Sequence, residues 1–208
     1  MFGFTKVALL VLLLVGSFNT LAEQQSPHQV ISSVGEKLFT RLSEQQTQGE
    51  AKPELIKQIV QQELMPFVDH RYAAFKVLGS YINKTNNEER EKFADAMEDY
   101  LVNMYVSALS QYKNQKVMFE PEGDEELGKI ASVRAMITEA GAPDIMVDFK
   151  LRKDRNTQQW KAFDMVVEGI SLISTKQSEI TARIRASSLA AVTAEIKGRG
   201  SVPVTYVD

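Results

Sequence analysis

Trp160-Lys161-Ala162-Phe163-Asp164-Met165-Val166-Val167-Glu168-Gly169-Ile170-Ser171-Leu172-Ile173 is the stretch whose reading decides the fold. It opens as a strand, with aromatic and β-branched residues, no proline, and a loop-forming Asp154-Arg155-Asn156-Thr157 just before it. Glu168-Gly169 breaks the extended run, and Ile170 and Ile173 then recur at helical spacing. Strict alternation puts Trp160, Ala162 and Val166 on one side, and Phe163, Met165 and Val167 on the other. Neither side is plainly polar. A strand apolar on both faces is covered on both, or turns one face to a cavity.

The residues upstream also repeat with period two. Val117-Met118-Phe119 is a short strand. Lys129 to Glu139 is a longer one, with Ala131, Val133, Ala135 and Ile137 on one face and Ser132, Arg134 and Thr138 on the other. Gly141-Ala142-Pro143-Asp144 is a turn. Ile145, Val147, Phe149 and Leu151 then alternate with Asp148, Lys150 and Arg152, apolar inward and polar outward. Four strands joined by short turns read as an antiparallel meander. With helices before and after it, the class is α+β. The inner face mixes alanines with large residues, and small side chains leave room for a pocket beside a helix-covered sheet.

The helical segments follow from period and punctuation. Ser26-Pro27 opens a first helix whose stripe is Val30, Ile31, Val34, Leu38, Phe39 and Leu42. Gln45 to Lys52 reads as a polar linker, and Pro53-Glu54 opens a second helix. Met65-Pro66 interrupts it, because proline lacks an N–H donor and biases its predecessor away from helix. A third helix is expected from about Phe67 to Tyr81. Thr85-Asn86-Asn87-Glu88 is a capping-box candidate for the longest helix, running to about Tyr112. Its apolar side is rich in tyrosine and methionine: Tyr100, Met104, Tyr105 and Tyr112 among them. Methionine fills irregular space and tyrosine can carry a hydroxyl to a wet rim, although core packing is the favoured reading of an isolated stripe. Two short helices after Gly169 carry Lys176, Arg183, Arg185, Lys197 and Arg199 outside, which read as a solvated face or, less favoured, a basic docking face. Ser201 to Asp208 reads as a loose tail.

Composition excludes several classes of function. The 208 residues carry a net charge of −3, so nothing suggests a nucleic-acid partner. There is no cysteine, hence no disulfide, thiolate metal site or cysteine nucleophile. Lys6 followed by the apolar run Val7 to Val15 has the form of a secretory signal, too short to span a bilayer. Thr20-Leu21-Ala22 sets the expected cleavage after Ala22, leaving 23–208 as one domain. The acidic turn Glu120-Pro121-Glu122-Gly123-Asp124-Glu125-Glu126 lacks the spacing of a calcium loop and reads as solvated.

Catalytic motifs are missing too: no Gly-x-Ser-x-Gly, Walker loop or His-Glu-x-x-His occurs. His70, between Asp69 and Arg71, reads as part of a solvent-exposed polar triplet at a helix turn. Asp164 is sharper, since a carboxylate in an apolar strand must be paired, hydrogen-bonded or protonated. A structural role for it is favoured over that of a general base in a sheet-walled pocket, and an enzyme built on Asp164 is kept as the alternative.

The segments Phe75-x-x-Leu78-Gly79-x-Tyr81, Phe93 to Tyr112, and Trp160 to Ile173 resemble the MlaC family of periplasmic phospholipid-binding proteins, also called the toluene-tolerance family. The resemblance implies a periplasmic, non-enzymatic α+β carrier that needs no cofactor and holds phospholipid tails in an apolar pocket between sheet and helices. It implies two partners besides the lipid cargo: an outer-membrane lipoprotein–porin complex and an inner-membrane ABC transporter with an MCE-domain subunit. Many family members carry an aromatic–basic pair after the Ser-Leu-Ile segment. Here Ser174-Thr175-Lys176-Gln177 stands there, and no role is carried over to it. The expected lipid-binding lining is Leu78, Tyr81, Tyr100, Met104, Tyr105, Val133, Ala135, Val147, Phe149, Phe163 and Met165. If the last strand is flipped, Ala162 and Val166 replace Phe163 and Met165. The third reading is an extracytoplasmic interaction module with a fully packed interior.

Overall fold

The computed structural model describes residues 25–47, 52–113, 115–123 and 128–200, with the backbone alone at 199 and 200. The expected leader, the C-terminal tail and part of the acidic turn lie outside these residues. Helix α1 spans Pro27–Thr47, α2 Pro53–Ile59, α3 His70–Leu78 and α4 Asn87–Leu109. The strands follow as β1 Lys116–Phe119, β2 Ile130–Thr138, β3 Ile145–Lys153, β4 Trp160–Val167 and β5 Ile170–Ser171. Helices α5, Leu172–Ala186, and α6, Leu189–Gly200, close the chain.

The helix ends obey local chemistry. Ser26 and Gln29 exchange hydrogen bonds of 2.9 and 3.1 Å at the start of α1, ahead of Pro27. Met65-Pro66 does end regular helix: a π turn over Val60–Leu64 passes into a 3₁₀ turn over Met65–Phe67. The third helix is shorter than expected, because Gly79–Lys84 winds as 3₁₀. The capping box of α4 is Asn86 with Glu89, one residue later than the sequence suggested. Thr85 instead donates its hydroxyl to the Ile82 carbonyl at 2.9 Å and accepts from Arg90 at 3.0 Å.

The sheet has five strands in the order β1-β2-β3-β4-β5, each antiparallel to its neighbour, not four. The fifth is only Ile170-Ser171, too short to show a period. It folds back on β4 through Glu168 and Gly169, which lie at φ 47° and 80°. Two successive residues in that region give the tight turn that suits strand twist, and glycine adopts it without strain.

Strand β4 does not alternate simply. Leu151 faces Ala162 and Lys150 faces Asp164, so Phe163 is an extra residue, a β-bulge. Beyond the bulge Phe149 faces Met165. Side chains opposite one another share a face, so Ala162 and Met165 both join the inner face of β3. Strict alternation fails because the bulge changes parity midway, so Ala162 from one expected face and Met165 from the other share a side. The Phe163 ring meets Tyr72 edge-on at 5.0 Å.

Asp69 is not part of an exposed triplet. Its carboxylate accepts from the Tyr72 N–H at 3.0 Å, capping α3, and pairs with Arg152, the two side chains being only 11% and 17% exposed. Its own N–H donates to the Ala162 carbonyl at 2.8 Å. Arg152 also stacks on Tyr72 at 4.3 Å. The start of α3 is thus clasped to the sheet. His70 lies 3.5 Å from Glu98.

Three solid cores result. The first half of α4 packs with α3, α5 and α6 through Phe93, Ala96, Met97, Leu78, Ile180 and Val192. Its second half meets α1 and α2 through Val102, Val106, Leu42, Ile56 and Val60. The start of α1 seals one end of the sheet, where Val30, Ile31, Ala131, Val133, Leu151 and Trp160 are buried together.

Candidate functional site

Between these cores the interior is open. A cavity of about 330 Å³ lies between the inner sheet face and helices α1, α4 and α5, within the range of about 300–1,000 Å³ for ligand pockets. Helix α4 contributes Tyr100, Leu101, Met104 and Tyr105, the sheet Ala135, Val147, Phe149, Ala162 and Met165, and α1 Ile31, Val34 and Leu38. The wall is almost wholly apolar: among the described lining residues only Asp164 and Lys176 are charged. Such a hollow favours an apolar guest, since each methylene leaving water for it gains about 0.8 kcal/mol.

Eight of the eleven expected lining residues stand in this wall: Tyr100, Met104, Tyr105, Ala135, Val147, Phe149, Phe163 and Met165. Three do not. Leu78 is fully buried in the solid core of α3 to α6, and Tyr81 packs against that core, with the Lys84 ammonium 5.4 Å from its ring. Val133 is on the correct face of β2 but under the start of α1, where the layers close. The sequence reading missed the contribution of α1. A signal for it exists: Gly35 sits within the apolar stripe of that helix, and a glycine there marks close approach. A Cβ on Gly35 would lie 2.7 Å from the Phe119 ring.

A second, larger hollow of about 710 Å³ runs along the outside of α1 and β1 and shares Gly35, Phe39, Val117 and Phe119 with the cavity. Ser32, Glu36, Thr40, Ser43 and Glu44 line it and it is open to water, which makes it a surface groove unsuited to an apolar guest.

The polar groups at the cavity have defined partners. Asp164 accepts the Ser171 hydroxyl at 2.7 Å and the Ile173 N–H at 3.0 Å, and Ser171 accepts the Ser174 N–H at 3.0 Å. The carboxylate thereby anchors the first turn of α5, where negative charge is favoured. Tyr105 lies deep. Burial, with a further push from the Asp164 charge, raises its phenol to about 12. Lys176 stands where α5 meets the cavity, 2.6 Å from Glu179 and 5.1 Å from the centre of the Tyr100 ring. Burial pulls its ammonium down, but hydrogen bonds to Glu179 and Tyr100 outweigh that and leave it above the ordinary lysine value.

An antiparallel sheet, helices on its inner face and an apolar hollow between them define a carrier-type α+β protein built around an apolar guest. The family model described as MlaC protein matches residues 32–198, and the chain belongs to that family. It is 34% identical over 155 residues to the "Intermembrane phospholipid transport system binding protein MlaC" of Haemophilus influenzae, covering 74% of this chain and 72% of the relative. The "Toluene tolerance protein ttg2D" of Pseudomonas putida is 26% identical over 173 residues, 83% of this chain and 79% of that one. A solved phospholipid-binding protein from Ralstonia solanacearum, in complex with a phospholipid, shares the fold. Its TM-score is 0.73 at 16% identity, covering 85% of this chain and 98% of the other.

Proposed function

We propose that this protein is a periplasmic phospholipid carrier that shields acyl chains in the cavity while they cross water. The observation that carries the reading is the apolar hollow walled by both layers of the fold. Two acyl chains hold roughly thirty methylenes, a gross gain of more than about 20 kcal/mol on leaving water. No lipid crosses an aqueous gap unshielded against such a cost. A bilayer offers the same gain, so the cavity only has to match a membrane interior, which an apolar lining does without catalytic groups. Family membership and the phospholipid named for the Haemophilus relative and the Ralstonia structure support the cargo.

On this reading the chain is exported by a leader cleaved after Ala22 and acts without cofactor or catalysis. It exchanges lipid with an outer-membrane lipoprotein–porin complex and an inner-membrane ABC transporter carrying an MCE-domain subunit. The engagement of Asp164 by Ser171 and Ile173 supports a structural carboxylate over a catalytic base. Native mass spectrometry of protein purified without detergent tests the reading. Co-purified diacyl phospholipid is expected, and an empty protein would overturn it.

A further inference from the structure

Of the two charged residues at the cavity, Asp164 is committed to Ser171 and to the Ile173 N–H. The Ser174 N–H is taken by Ser171, so the first turn of α5 is already served by the protein's own oxygens. Lys176 differs. It lines the cavity, its side chain is 26% exposed, and its ammonium has three donors, of which Glu179 takes one at 2.6 Å and the Tyr100 hydroxyl a second, leaving one to spare. The partner is replaceable as well. Glu179 also accepts from Arg183 at 3.2 Å, so it keeps a cation when the lysine leaves, and Arg183 itself reaches on to Glu195. Losing the lysine therefore does not orphan a carboxylate, the step that makes breaking many ion pairs costly.

We propose that Lys176 is the phosphate-binding residue of the carrier: with the tails of a diacyl phospholipid in the cavity, its ammonium exchanges Glu179 for a phosphate oxygen at the mouth. This rests on the carrier reading above and adds to it where the headgroup lies. Lys176 lines the cavity with its ammonium over the Tyr100 ring, 5.1 Å from the ring centre, and its side chain is partly open to water. A lysine meets a phosphate as a compact point charge and without bidentate geometry. Recognition then stops at the phosphate that every phospholipid shares and ignores the group beyond it. Phosphatidylethanolamine and phosphatidylglycerol bind alike, and diacylglycerol, with the same tails and no phosphate, binds less well.

Delipidated protein offered vesicles of phosphatidylethanolamine, phosphatidylglycerol or diacylglycerol-doped phosphatidylethanolamine, then read by native mass spectrometry, tests this. The parent should take up phospholipid at least fivefold over diacylglycerol. Lys176→Met should abolish that preference while still taking up diacylglycerol, Lys176→Arg should restore it, and Glu179→Gln should keep or increase it. A preference unchanged in Lys176→Met overturns the proposal and leaves the carrier reading standing, as does equal loss of both lipids. Inorganic phosphate binding the delipidated parent as tightly as phospholipid would assign the site to free phosphate and overturn it too. A parent that takes up no lipid at all overturns the carrier reading and this proposal together.

Discussion

Helix α4 passes through two regions that look alike in sequence and are built differently. In its first half Phe93, Ala94 and Ala96 are buried against the core shared with α3, α5 and α6, and none of the three lines the cavity. In its second half Tyr100, Leu101, Met104 and Tyr105 face the sheet across the cavity. Both halves present an apolar stripe at helical spacing. What differs is the element opposite: three helices that close in, against a sheet that leaves a hollow. A stripe of this kind states that a face is covered, and the covering element determines whether the space is filled.

The largest effect should fall in the solid half. Phe93→Ala should cost about 3–5 kcal/mol in chemical denaturation, because the site is closed on all sides. Met104→Ala borders empty space and should cost under about 1.5 kcal/mol, less than the usual range for a core methionine. Equal costs would erase the contrast between the two halves.

Next in size is an alkaline effect confined to the hollow. Below pH 10 the Tyr105 phenol is protonated in the folded and the unfolded chain. Between pH 10 and about 12 only the folded form keeps the proton, so stability falls as pH rises through that window. A shift of that size corresponds to a loss of about 2–3 kcal/mol near pH 12. Tyr105→Phe should flatten the decline relative to the parent in denaturant titrations at pH 9 and pH 12, while a parallel decline in both would place the phenol in water.

The smallest effect is the most discriminating. Ala96 and Ala135 are both almost fully buried, one in the solid half and one at the cavity. Ala96→Leu should cost about 1–3 kcal/mol through overpacking. Ala135→Leu has room to grow into and should cost less than about 1 kcal/mol, while reducing the phospholipid seen by native mass spectrometry.

The sequence carried the class of the fold and most of the cavity wall, because period is set by which side of an element is dry. Ala135, Val147 and Phe149 were legible for that reason, and so were Tyr100, Met104 and Tyr105. Depth along an element was not. Val133 shares the face of Ala135 two residues away, yet lies under the start of α1 in a solid core. Leu78 has the spacing of a lining residue and the surroundings of a core one. The bulge at Phe163 was invisible because it exists only relative to β3, and β5 because two residues carry no period. Asp164 was singled out as needing partners, but Ser171 and Ile173 reach it only through the tight turn at Glu168-Gly169.

The odd residue in β4 acts as a phase shift. Upstream of it, the strand is in step with the sealed end of the sheet, through Trp160 and Ala162. Downstream, it is in step with the wall of the hollow, through Met165. Removing one residue there would bring the two segments into a single rhythm and turn one of them inside out, and the anchor that Asp164 gives to α5 would swing away with it. Letters along this strand can be exchanged; their number cannot.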